Sequence, residues 1–389
     1  MMNCINNIIK LLILLFSLQS FSQKIETKLA GGINVKDQNI NSVFNLWKNY
    51  LSANPDKIYD NPFWNDLEKK KYKSYDLLKS EGFLNPSLYA LEPNNMVLYI
   101  KEAGDDYLIH SMYYWINEDS TFNPLAITNV VAKKENGNFK LYNYLPLYTV
   151  GWKSKQIGII DYHFHEDYVF DEDEALKANN LLKKLNELFD LNLINVTYYI
   201  ARNCDEIHKM KGYDYIVSMG RTPNLCGFYD DLNNIVYSNA KVGEYHMHEL
   251  IHVINNKYIN ANYLLLSGLS VYTNDKNCYL GKPFIYHVSK IQKYLDINPD
   301  TDLTNFEDLP QVFGTDSYYF VGALITDIIL EKGGINLLKE GLQSGKEDKY
   351  LLDFIMNKMK INKIELNILI KNKLKSTNKS QKFTFLINY

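Results

Sequence analysis

HELIHVINNKYINANYLLLSGLSVY runs from His248 to Tyr272, and its first five residues carry a specific chemistry. Residues four apart on a helix lie one turn apart on one face, with Cβ atoms about 5–6 Å distant. His248 and His252 can therefore aim their imidazoles at one ion, and neutral imidazole binds zinc at about 2.0–2.1 Å. Glu249 follows the first histidine and is placed to reach a metal-bound water instead of the metal. There a carboxylate acts as general base on water whose acidity zinc has raised. Met247, Leu250, Ile251 and Val253 surround the pair, the apolar setting of a buried helix. The chain holds 8 histidines in 389 residues. Chance then gives roughly 0.01 such matches per chain, so the pattern is read as chemistry.

Farther along the same stretch, YLLLSGLSVY from Tyr263 to Tyr272 reads as a second helix. Together the two segments resemble the gluzincin branch of zinc metallopeptidases, with its thermolysin-like catalytic domain, and most of all its exported, peptidase MA-like members. In that family the second helix reads approximately W-L-x-E-G-L-A-x-Y, and its Glu is the third metal ligand. Gly268, Leu269, Val271 and Tyr272 fit this pattern, and Ser267 falls on the ligand position. The helix-strand alternation from about 160 to 240, with NNIVYSNA before the His248 helix, resembles the family's sheet, whose edge strand lines the cleft. The tail YYFVGALITDIILEKGGINLLKEGLQSG, Tyr318 to Gly345, resembles the family's aromatic-Gly helix and Gly-rich turn. The resemblance covers roughly residues 156 to 375. It implies zinc as cofactor, His248 and His252 as metal ligands, Glu249 as catalytic base and a peptide or protein substrate. It also implies a Tyr or His that stabilises the oxyanion, a role open to Tyr319 or its neighbour Tyr318.

A serine hydroxyl is neutral and a far weaker zinc ligand than a carboxylate, while catalytic zinc takes three protein ligands. With eighteen residues intervening after His252, the common gluzincin interval, the next position is Val271, which cannot ligate. Asp275 lies two turns past Ser267, about 12 Å along a continued helix. Glu244 shares the histidine stripe but sits one turn before His248. His246 projects from another part of the helix. His287 reads as an ordinary histidine bonded locally, unless the chain folds it back to the cleft. His163 and His165 alternate on a strand and share one side, yet read as solvated strand-end residues.

Outside this half, NINSVFNLWKNYLSANP and NPFWNDLEKKKYKSYDLLKSEG predict two helices from their apolar spacing. MVLYIKEA, YLIHSMYYWI, LAITNVVAKKENGNFKLYNYL and QIGIIDYHF predict strands, and ENGN a tight hairpin. DEDEALKANNLLKKLNELFDL predicts a helix with acidic residues at its positive end. INVTYYIA and LNNIVYSNA predict strands, and Gly333-Gly334 breaks the helical tail. The fold class is α+β: a small N-terminal α+β unit over 23–155, of unassigned role, then a gluzincin-like domain with a mixed sheet and a mostly helical end over 156–389.

Residues 1–22 read as a signal peptide: Lys10, a short apolar core from Leu11 to Phe16, then Ser20 and Ser22 before Gln23. That run is far below the roughly 18 residues a bilayer span needs, so the mature chain is expected to be exported, periplasmic or extracellular, and not membrane-spanning. A formal net charge of -3 with no basic run argues against nucleic acid as a partner. Cys204, Cys226 and Cys278 follow the signal. They match no zinc-thiolate spacing and leave room for one bridge. Two functions fit these residues. One is zinc-dependent peptide hydrolysis. The other is a degenerate peptidase whose cleft binds peptide or protein without cutting it.

Overall fold

Asn136 and Gly137 both adopt positive φ, 46° and 88°, the pair a two-residue hairpin turn demands. They join β4 (Phe122–Glu135) to β5 (Asn138–Tyr142). The computed structural model describes residues 25–53, 62–72, 93–193, 195–217, 219–220, 226–273 and 279–377. The proposed signal peptide, Asp275 and Cys278 lie outside these. The mixed α+β class is observed, with a helical C-terminal region.

Two compact units divide the chain: Met1–Tyr148 with His208–Met219, and Thr149–Ile207 with Gly220–Tyr389. In the first, β1 (Thr27–Leu29) pairs in parallel with β2 (Asn94–Ala103), and β2, β3 (Asp106–Ile116), β4 and β5 follow as an antiparallel meander. The helix α1 (Gln38–Leu51) buries Val43, Trp47, Tyr50 and Leu51. Asp37 caps it by accepting from the Asn39 and Ile40 amides, and the Trp47 indole donates to Asn95 at 3.2 Å. Of the second expected helix, only Asp66–Lys71 is helical, as the short α2; Trp64 before it instead forms a bridge to Leu141, and residues 73–82 lie outside the described residues. A four-residue α3 (Leu145–Tyr148) ends this stretch.

The second unit holds a five-stranded sheet. QIGIIDYHF is not one strand. It turns at Gly158, between β6 (Lys153–Ile157) and β7 (Ile160–Phe164). A Cβ at Gly158 would lie 2.0 Å from Asn179 Oδ1, which instead accepts the Ile159 amide at 3.1 Å. β7 runs parallel to β8 (Val196–Ala201). The chain then leaves through α5 (Cys204–Met210), and β9 (Tyr213–Ile216) joins β4 of the first unit. It returns as β10 (Gly227–Asp230) and β11 (Ile235–Asn239), giving the order β10-β11-β8-β7-β6 with β10 antiparallel at the edge. α4 (Glu172–Phe189) covers the sheet with Ala175, Ala178, Leu181, Leu182, Leu185 and Phe189. Asp171 caps it and three acids occupy its first turn, complementing the helix dipole.

The His248 segment folds as α6 (Met247–Ile251), which tightens into a 3₁₀ turn over His252–Asn256. α7 (Tyr263–Thr273) follows and is buried along nearly its whole length. Beyond it come α8 (Phe284–Ile297), the β12–β13 hairpin (Gln311–Val312, Thr315–Asp316), α9 (Ser317–Leu342), α10 (Asp348–Met359) and α11 (Lys363–Thr377). Gly334 interrupts α9 at φ 62°, where the sequence placed a break. α7 and α9 cross at Gly268 and Gly322. A Cβ on Gly268 would lie 2.1 Å from the Gly322 carbonyl carbon, so only glycine permits this approach. Beneath α7, Tyr272 donates to Asp327 at 3.0 Å, and Lys373 bridges Asp327 and Glu331 at 2.5 Å each. No helix among the described residues is long and apolar enough to cross a membrane.

Candidate functional site

The short α6 brings His248 and His252 together, with ring centroids 5.1 Å apart at 71°. This is the shared face that the four-residue spacing requires. Glu249 points elsewhere, toward the edge strand. Gly227 of β10 lies so close that a Cβ there would sit 2.7 Å from Glu249 Cγ and 2.4 Å from His246 Nε2. Glu249 is 8% exposed. Burial pushes its carboxyl up to about 8, against the opposing effect of the Tyr229 backbone N–H.

Burial also holds the His252 and His246 imidazoles neutral. His252 is pulled down to about 4 by desolvation, which its contact with Asn255 at 3.5 Å offsets only partly. His246 falls to about 4 for the same reason, with His252 adding to the shift and the Cys226 carbonyl opposing it. Neutral imidazole is the form that ligates a metal.

The second helix brings Ser270 to the dyad. Ser267 is 1% exposed, and its Oγ has no hydrogen-bond partner among the described residues. Ser270, one turn on, lies 3.3 Å from His248 Nε2 and donates to the Ser267 carbonyl at 2.8 Å. Ser270 escaped the sequence reading, although its spacing of three from Ser267 puts it on the same helix face. Among the described residues, no group of three or more His, Cys, Asp and Glu side chains is arranged to hold a metal ion.

The remaining candidates lie in other settings. Glu244 accepts the Asp171 amide at 2.8 Å and so anchors the start of α4. His287 is fully buried, with Nδ1 3.0 Å from Thr315 Oγ1 and Nε2 3.0 Å from the Tyr279 carbonyl. It is the locally bonded histidine the sequence suggested. His163 stacks on Tyr199 beside Asp161. For His165 the solvated reading is corrected: its Nε2 meets both Glu206 oxygens at 3.0 Å, and its ring packs on Trp152. An alternating pattern shows which side a strand residue faces, not what a distant segment brings to it. The Tyr319 hydroxyl meets that of Tyr263 at 3.1 Å within an aromatic group that includes Tyr279. Burial, then the nearby Tyr263, keeps its phenol protonated.

Cys204 and Cys226 form a disulfide with Cα atoms 5.8 Å apart, and Asn239 Nδ2 sits 2.9 Å from Cys226 Sγ. The bridge fixes the residue preceding β10, the strand packed on His246 and Glu249. Spacing alone did not select this pair. No family model matches the chain, and no curated protein matches it.

Proposed function

We infer that the second unit is an exported gluzincin-type peptidase scaffold in degenerate form, which binds an extended peptide or protein segment without hydrolysing it. The observation that supports this reading is Ser267: its hydroxyl is buried, and by the sequence resemblance it replaces the family's third ligand. Two imidazoles and a hydroxyl do not fit a catalytic zinc, which needs three protein ligands and an open position. His248 and His252 remain the only metal-ligand pair in this reading, for a zinc ion held weakly. Glu249, buried and raised toward neutrality, is suited to share a proton with a bound amide.

β10 supports the binding half of the proposal. It ends the sheet, pairs with β11 alone among the described residues, and flanks the histidine helix. An extended segment adding to such an edge gains main-chain hydrogen bonds without needing catalysis. A hydrolytic reading rests on a different observation, the retention of Glu249 beside both histidines. Tyr319 would be its oxyanion donor.

Fluorescein-labelled unfolded casein distinguishes the two. The degenerate scaffold raises its anisotropy and leaves the casein intact with zinc present. Fragments that disappear on chelation and in Glu249→Gln would instead establish the hydrolase. No change in either signal would remove both readings.

A further inference from the structure

We propose that Ser270 is a hydroxyl latch that occupies the metal-facing nitrogen of His248, so that Ser270, together with the missing carboxylate at 267, sets the low metal affinity of this site. The inference rests on the reading of His248 and His252 as the ligand pair. A serine hydroxyl has one proton to give. Ser270 directs it to the Ser267 carbonyl at 2.8 Å, the shorter of its two contacts. Toward His248 Nε2, at 3.3 Å, its oxygen is therefore the acceptor. The imidazole must then carry its proton on Nε2, and a protonated nitrogen has no lone pair for a metal.

The geometry is closed rather than incidental. Ser270 is fully buried, and α7 cannot shift easily because Gly268 sits against the backbone of Gly322. Thr273 donates to the Ser270 carbonyl at 3.1 Å, which continues the hydrogen-bonded turn. The HExxH pair is thus kept in place by the second helix through a hydroxyl, where the family pattern has a shared ion. Binding a metal requires breaking that bond and moving the proton to Nδ1.

Cobalt(II) titration of the full mature chain, read by its visible absorption, tests this with wild type, Ser270→Ala and Ser267→Glu. His248 ring nitrogen shifts in the metal-free proteins provide a second readout that loss of packing alone would not move. The latch predicts a proton on Nε2 in wild type, its release in Ser270→Ala, and cobalt bound about three- to tenfold more tightly by that variant, the range one net hydrogen bond spans. Equal or weaker binding by Ser270→Ala, or an unprotonated Nε2 in wild type, would overturn the latch while leaving the ligand pair standing. Absence of cobalt binding in all three proteins, Ser267→Glu included, would overturn the ligand pair and the latch together.

Discussion

Gly268→Ala probes the helix crossing that seats α7, and with it Ser270, beside His248. The added methyl would lie 2.1 Å from the Gly322 carbonyl carbon, 2.5 Å from its oxygen and 2.6 Å from the Ala323 nitrogen. Carbon atoms attract best at about 3.5–4.0 Å, so α7 and α9 must part by roughly 1 Å or more. All three obstacles are backbone atoms, and no side chain can rotate away to relieve them. Overpacking of this kind costs about 3 kcal/mol, which lowers the midpoint of the second unit by about 6–12 °C in differential scanning calorimetry. Gly322→Ala meets the Leu264 carbonyl oxygen at 2.2 Å across the same gap. Once the helices are parted, the second methyl enters existing space, so the double variant should lose less than the sum of the singles. The Ser270–His248 hydrogen bond should weaken in parallel, visible as a shift of the His248 ring resonances. A midpoint within about 2 °C of wild type for Gly268→Ala would refute the crossing geometry.

Three further outcomes follow from the structure. Ser267→Glu buries an extra carboxyl at a site 1% exposed, so without zinc the variant should unfold earlier than wild type. Zinc at a hundredfold excess over its dissociation constant should then return about 2.7 kcal/mol, and an identical zinc response in both proteins would show that Ser267 is not on the ligand position. Cys204→Ser opens a loop of 22 residues and should cost about 3 kcal/mol in chemical denaturation; a loss under 1 kcal/mol would mean the bridge leaves the unfolded chain unconstrained. Burial opposes the charge on Lys373, but its bonds to Asp327 and Glu331 prevail and hold its pKa above the ordinary lysine value. That contribution is complete below the unfolded value near 10.5 and disappears as pH rises through the folded one. The stability gap between wild type and Lys373→Met should therefore narrow above about pH 10.5, and a constant gap from pH 8 to 11.5 would contradict the ion pair.

Short-range signals made much of the fold legible. Alternating β-branched and aromatic residues marked β2 to β4, Asn136-Gly137 marked a hairpin, and Asp171 with the acids behind it marked the start of α4. Each of these is decided by neighbours within a few residues. Long-range pairings were not legible. Nothing local in 208–219 says that β9 joins the sheet of the first unit, and nothing in DYHFHED announces Glu206 as the partner of His165. Gly158 was read as part of a strand because its Cβ conflict is with Asn179, 21 positions away. The candidate site divides in the same way. His248, Glu249 and His252 were identified from their spacing, and Ser267 from a family pattern. Ser270, Gly227 and the Tyr229 amide acquire meaning only when α7 and β10 are packed against α6.

The claim that this scaffold has lost its catalytic metal centre is tested most directly by zinc content. Mature wild-type protein and His252→Ala would be purified, loaded with zinc, dialysed against metal-free buffer and measured by plasma mass spectrometry. The account predicts far less than one zinc per wild-type chain after dialysis, with little further loss in the variant. About one zinc per chain, retained by wild type and absent from His252→Ala, would contradict it.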